Sequence, residues 1–373
     1  MAHLTVEPVR SKRDLKEFIL LPWKIYKDDP NWVPPLILDM KNMLNKKKNP
    51  FFLHSDAEFF LARRGDEVVG RIAAIQNNRH NEFHGEKTGF FGFFEVLPDY
   101  DAAAALFDTA LDWVKDRGME VLRGPTNYST NDTCAFLLEG FDSPPVILMT
   151  YNPPYYLEYS ERYGFEKAKD LYAYFMSSDQ PIPERLVRLS EAIRRRDDIH
   201  LRSVNMKHFW EEVETVFKIY NDAWSRNWGF VPLTHEEIKH IAKDLKQVID
   251  PDLALIAEIK GEPAGFSLAL PDINQALIKV RNGRLFPLGL PKLLWYMRKI
   301  SGIRVFTMGV VHKYRLRGIE TLFYVETYRR GTGKGHRWGE FSWILEDNRM
   351  MNRAAQALGA RVYKKYRIYE KPV

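Results

Sequence analysis

The residue types best suited to chemistry lie between Val305 and Leu322, where an apolar run meets two arginines and a glycine. Val305 to Val311 is rich in β-branched residues and suits a buried strand. Tyr314, Arg315, Leu316, Arg317, Gly318 and Ile319 follow, and the pattern predicts a helix starting near Gly318. A helix start presents N–H groups that have no intrahelical partner, together with the positive end of the helix dipole. With Arg315 and Arg317 beside it, that start makes a cradle for a phosphate or pyrophosphate. Gly318 is expected to let the ligand approach the main chain closely.

The run resembles the acyl-CoA-binding motif of the GNAT acyltransferase superfamily: Gln or Arg, two residues, Gly, one residue, then Gly or Ala. Arg315 matches the first position and Gly318 the glycine, while Glu320 stands where the family has Gly or Ala. Residues 340–348, ending in Asn348, resemble the superfamily's fifth strand. From Asn348 to Gly359 the spacing resembles its fourth helix, with Ala355 replacing the Tyr that often serves as acid to the CoA thiolate.

The resemblance implies a set of roles around acetyl-CoA or another acyl-CoA. Arg315, Leu316, Arg317, Gly318 and Ile319 would hold the pyrophosphate. Val310, Val311 and His312 would pair with the pantetheine arm, and Asn348 would sit near it. Main-chain N–H groups around Met308 to Val310 would stabilise the oxyanion. The implied reaction moves an acyl group to an amine of a small molecule or peptide. Glu340, Glu346 and Asp222 all remain candidates for a general base, and a water chain is an alternative. Tyr363 and Tyr366 are candidates for the missing acid.

The elements that must position these residues are written twice in the chain. Leu4 to Val9 alternates like a strand, and Ser11 with Asp14 opens a helix to about Tyr26. Residues 199–220 repeat strand and helix, and both helices end in Lys-Ile-Tyr, at 24–26 and 218–220. Residues 59–75 and 253–270 each read as strand, Gly-containing hairpin, strand. The fold expected is α/β: two tandem GNAT-type domains with mixed, mostly antiparallel sheets flanked by helices. The divisions expected are 1–176, a linker helix within 177–198, and 199–373. The long polar loop 125–133 and the stretch 140–170 resemble a family of bacterial tandem GNAT-like proteins, over essentially the whole chain.

The copies differ where chemistry would sit. In the first, Gly89 to Pro98 reads as the equivalent strand, but Asp99, Tyr100 and Asp101 lead into the following helix. Carboxylates there occupy the positive helix end themselves, so this copy is not expected to bind CoA in the usual way. Asn152 and Tyr159 have the Asn-to-Tyr spacing of the fourth helix. Against that, Tyr159 equally suits a Tyr-rich packing surface. Pro153 and Pro154 suit a first helical turn. The second copy carries an insertion, 272–302. Its Leu293, Leu294, Trp295 and Met297 lie among Lys292, Arg298 and Lys299. It reads as a helix packed on the other domain, or as a lid or membrane-surface helix.

The chain has 373 residues, 45% hydrophobic and 28% charged, enough to build real cores and not the composition of a disordered chain. A net charge of +6 permits an acidic partner but discriminates little at this length. The single Cys134 excludes an internal disulfide framework and suits a reducing compartment. No signal-like leader or bilayer-length apolar run occurs, so a cytoplasmic protein without a membrane span is expected. The lysine run 46–48 and the arginine run 194–196 lack interleaved aromatics, so no nucleic-acid partner is expected. His80 and His84 have zinc-ligand spacing, but their segment reads as a loop and lacks a third ligand. Thr234 and Glu237 read as a capping box rather than part of a zinc motif. The rival to an acyltransferase is a non-catalytic binding or scaffolding protein on the same fold, favoured by Glu320 and Ala355.

Overall fold

The computed structural model describes residues 3–373, the side chain of residue 197 excepted. The chain forms two compact units. The first comprises Met1–Asp170, Ala276–Tyr296 and Lys365–Val373; the second comprises Leu171–Gln275 and Met297–Lys364.

In chain order the elements begin with β1 (Leu4–Pro8), α1 (Lys12–Ile25), α2 (Ile37–Met43), β2 (Asp56–Arg64), β3 (Glu67–Gln76) and α3 (Asn78–His84). Next come β4 (Thr88–Val96), α4 (Tyr100–Lys115), β5 (Val121–Gly124), β6 (Phe136–Glu139), α5 (Tyr155–Tyr163) and β7 (Glu166–Ser177). The middle of the chain gives α6 (Glu184–Asp197), β8 (Ile199–Ser203), α7 (Phe209–Ala223), α8 (His235–Leu245), β9 (Ala254–Ile259) and β10 (Glu262–Pro271). The last elements are α9 (Asn274–Leu277), α10 (Gly289–Met297), β11 (Gly302–Val310), α11 (Ile319–Gly333), β12 (Trp338–Leu345), α12 (Arg349–Ala357) and β13 (Arg361–Pro372).

The first unit's sheet runs β1-β2-β3-β4-β5-β13, and the second's runs β7-β12-β11-β10-β9-β8. In each, one neighbouring pair is parallel: β4 with β5, and β11 with β12. The sheets are mixed and mostly antiparallel, with helices on their faces, as the α/β pattern requires. Period-two alternation explains how one strand serves two cores. Phe60 and Ala62 pack with α4 and α5 residues, whereas Phe59 and Leu61 pack with Phe18 and Ile19 of α1. In the second unit Leu255 and Ala257 face Ile319, Leu322 and Phe323 of α11, while Ile256 faces Ile219 of α7.

Each unit's closing strand comes from the other copy of the repeat. Residues 171–177 of β7 pair antiparallel with β12 in the second unit. Residues 369–372 of β13 pair antiparallel with β5 in the first.

Local signals hold at most ends. Ser11 and Asp14 form a capping box on α1, and Thr234 and Glu237 form one on α8. Two local readings are corrected. Residues 78–84, read as a loop, are helical, because the Asn77 side chain accepts from His80 N–H and Gly85 ends the turn at φ 66°. Pro153 and Pro154 precede α5 rather than sit in its first turn. The Asn152 side chain accepts from Leu137 N–H at 2.6 Å and so ties β6 instead of capping the helix.

The inserted segment is anchored on the first unit. Ile37 N–H donates to Gly283 O at 2.9 Å, and Trp23 Nε1 donates to Arg281 O at 2.7 Å. The Arg281 guanidinium donates to Trp32 O and Asp29 O, each at 2.9 Å. Gly283 lies at φ 63°, where a Cβ would stand 2.4 Å from the Trp23 ring. Among the described residues, no helix is long and apolar enough to cross a membrane.

Candidate functional site

The site grows from the end of β11. That strand pairs with β10 from Ile303 to Val310, but with β12 only over 302–305 against 338–341. A bulge at Phe306 bends it, since Leu268 faces Thr307 and Ala269 faces Val305. Beyond Val305 the parallel strands diverge, and the β12-facing N–H and C=O groups of 306–310 have no ladder partner among the described residues. The main-chain groups that follow are already engaged. Val311 N–H donates to Ala264 O at 2.9 Å, and His312 N–H donates to the Asp222 carboxylate at 2.7 Å.

A single 3-10 turn, His312–Tyr314, leads into the basic connection. Leu316 (φ 65°) and Gly318 (φ 82°) both adopt the left-handed region, which turns the chain into α11. Among the described residues no side chain caps α11; Thr321 N–H donates to Gly318 O at 3.0 Å, and the N–H groups of Ile319 and Glu320 stay uncapped at the positive end of the dipole. Arg317 is exposed beside the Tyr314 ring, and Arg315 is exposed while one Nη donates to Ala223 O at 2.5 Å. Gly318 has a packing reason besides the one expected. A Cβ there would stand 2.5 Å from Ile193 Cδ1, so the glycine leaves room for helix α6. The Arg196 guanidinium reaches Arg317 O at 3.4 Å from the same helix.

The corresponding place in the first unit is closed. Asp99 caps α4 by accepting from Ala102 N–H at 3.1 Å. Both Asp99 oxygens also accept from Arg64, at 2.8 and 2.9 Å. The Arg64 bonds hold the Asp99 carboxyl below the usual carboxylate range. The two helix mouths therefore differ in one respect that matters: one is filled by its own carboxylate and the other is not.

Beside the second mouth, His312 Nδ1 lies 3.2 Å from Asp222 Oδ2. Its Nε2 is shielded from solvent and has no hydrogen-bond partner among the described residues. A carboxylate that holds one ring nitrogen fixes the tautomer and leaves the other as a proton acceptor. The sequence pattern points to His312 for its main chain and to Asp222 as an isolated base candidate. Ninety residues separate them, and no local pattern couples them.

An apolar cleft lies between the middle and C-terminal part of α11 and the strands β11, β12 and β7, lined by Val305, Met308, Phe341, Tyr324, Tyr328 and Met176 among others. Burial holds the Tyr324 hydroxyl above its ordinary value, with the Glu320 charge acting the same way. That hydroxyl meets a weak acceptor, Met351 Sδ, at 3.4 Å. Tyr324 shares its core cluster with Ala355, the position where the superfamily has its Tyr. Sequence spacing points away from α11 and so misses it.

The other expected residues are placed as follows. Glu340 is fully buried, takes bonds from the Ser342 and Tyr363 hydroxyls, and lies 3.9 Å from the Arg304 guanidinium. Burial pushes its carboxyl up, and Arg304 opposes that. Its neighbours Gly339 and Phe341 line the cleft but it does not. Asn348 caps α12, accepting from Met351 N–H at 3.1 Å. Tyr366 belongs to the first unit and is fully buried. Tyr159 lies in an aromatic group with Tyr100 and Tyr155. His80 Nε2 lies 3.2 Å from Glu86, and desolvation lowers its pKa to about 4.

No family model matches the chain. It is 39% identical over 380 residues to the bacterial ceramide synthase of Caulobacter vibrioides, covering 99% of this chain and 98% of that one. It is 37% identical over 371 residues to Protein YghO of Escherichia coli, covering 97% and 94%. Among solved structures, a tandem GNAT protein from the clavulanic acid biosynthesis pathway is similar with a TM-score of 0.58 at 13% identity, over 99% and 98% of the chains. A GCN5-related N-acetyltransferase from Sphaerobacter thermophilus is similar with a TM-score of 0.52 at 14% identity, over 99% and 95%. The chain therefore has the fold of a tandem GNAT protein, and it belongs to the family of the Caulobacter bacterial ceramide synthase and Protein YghO.

Proposed function

We propose that the protein transfers an acyl group from an acyl-CoA to a primary amine, with the cofactor held by the second unit. The observation that carries this reading is the uncapped, arginine-flanked start of α11 at the end of a strand whose edge has come free. Arg315 to Ile319 would take the pyrophosphate. The open edge at Met308 to Val310 would pair with the pantetheine amides and the thioester oxygen. Val311, His312 and Asn348 would border the arm.

In the reaction the amine nitrogen forms a bond to the thioester carbon, and the resulting oxyanion is met by N–H groups of the open edge. His312 Nε2 takes the proton that the amine loses, with Asp222 holding the imidazole and stabilising its cation. The C–S bond then breaks, and the Tyr324 hydroxyl donates to the departing thiolate. Alignment of thioester and amine supplies much of the remaining rate gain.

The Caulobacter relative's name points to the acceptor. Ceramide is an N-acylated long-chain amino alcohol, so an acceptor of that class would carry its amine on an apolar chain. The cleft beside Tyr324 is mostly apolar, which supports an acceptor or acyl group with an apolar part.

Thermal melts with acetyl-CoA and with longer acyl-CoAs test the reading. A ligand at a hundred times its Kd stabilises by about 2.7 kcal/mol. Stabilisation is expected for the parent protein and a weaker one for Arg315→Ala with Arg317→Ala. No shift with any CoA species would sink it and favour the binding or scaffolding reading.

A further inference from the structure

We propose that the inserted segment, around Phe286 to Trp295, docks the protein on an anionic phospholipid surface. The proposal stands apart from the acyl-transfer reading. Four large apolar side chains point outward within ten residues: Phe286 is 76% exposed, Leu288 77%, Leu294 52% and Trp295 57%. Their exposure is built in, because the segment is pinned to the first unit through Arg281 and Gly283, and Leu293 of α10 is buried beneath. An exposed apolar patch of this density marks an interaction surface.

The charges select the partner. Between Asp272 and Glu320 the chain contains no Asp or Glu. Arg284 and Lys292, both exposed, lie beside the apolar residues. A short helix with basic residues and with Trp and Leu exposed is suited to lie in a headgroup layer. A second copy docking through the same face would bring the two sets of cations together with no carboxylate from the segment to pair them. An anionic lipid surface meets both the apolar and the basic groups, and surface attachment needs no spanning helix.

The test is co-sedimentation of the full chain with vesicles of phosphatidylcholine alone and of phosphatidylcholine mixed with phosphatidylglycerol. Binding is expected to the mixed vesicles, weakening with salt. Replacing Phe286, Leu288, Leu294 and Trp295 with Ser is expected to reduce that binding by roughly tenfold or more. Arg284→Glu with Lys292→Glu is expected to remove the preference for the anionic lipid. Because all six side chains are exposed, circular dichroism and melting should match the parent, and a variant that melts early is replaced by single changes. No binding by the parent, or equal binding by the apolar variant, would overturn the proposal. So would concentration-dependent dimers that the same variant abolishes.

Discussion

At the scale of single residues, the imidazole of His312 is the acceptor we propose for the amine proton. Glu340 is more deeply buried, but buried carboxylates held by two hydroxyls and close to a guanidinium serve the fold as readily as the chemistry. His312 differs in having one nitrogen held by Asp222 and the other without a partner among the described residues. His312→Gln is expected to lower kcat by about 10²-fold or more, and Asp222→Asn by a smaller factor, with KM for acyl-CoA nearly unchanged. A shift confined to KM would remove the pair from the chemistry. Gly318 allows a second prediction. Its φ is 82°, and an added Cβ would come within 2.5 Å of the Ile193 methyl, so no room is left for a side chain. Gly318→Ala should cost about 1–3 kcal/mol, from the left-handed backbone plus the contact. Ile193→Ala in the same chain should recover part of it. Urea unfolding of the three variants decides this, and an alanine as stable as the parent would refute it.

At the scale of elements, the two helix mouths show how one plan is kept closed in one copy and open in the other. Asp99 serves α4 as cap and as partner of Arg64. Asn caps a helix as well as Asp does, so Asp99→Asn isolates the charge. It should lower stability modestly near neutral pH, because the two-pronged ion pair with Arg64 lies at the surface, where solvent screens it. The sign follows from the lowered carboxyl. The contribution is complete above the unfolded value, about 4, and is lost as pH falls through the folded one. The gap between parent and variant should therefore close on acidification. A gap that stays constant to low pH would show that the charge contributes nothing. Elements of this kind are largely legible, because caps, hairpin glycines and apolar periods are local. The acidic entry to α4 and the strand-to-helix turn before α11 can be read from a few consecutive residues. Helix α3 escapes such a reading because seven residues give too little periodicity. Gly318 is located by the motif but its packing role is not, because the side chain that needs its space comes from α6, far earlier in the chain.

At the scale of the whole molecule, the repeat is legible but the exchange of closing strands is not. An aromatic, alternating strand shows that it will pair and not with which sheet. The exchange makes the first unit depend on the last residues of the chain. Residues 369–372 continue its sheet beyond β5, and Arg367 grips Asp170 through bonds of 2.8 and 3.0 Å. Glu370 receives Arg123 Nε at 2.9 Å, and Tyr369 is 1% exposed within the main core of that unit. Loss of the Tyr369 ring alone should cost about 3–5 kcal/mol, and the uncovered edge of β5 adds unsatisfied ladder groups. That is a large share of the roughly 5–15 kcal/mol that keeps a domain folded. A chain ending at Lys364 should therefore lose hydrogen-exchange protection in β3, β4 and β5, far upstream of the cut. Amides of β9 and β10, whose unit keeps all its own residues, should stay protected longer. Equal protection of β4 in the truncated and full chains would show that the first unit closes without its borrowed strand.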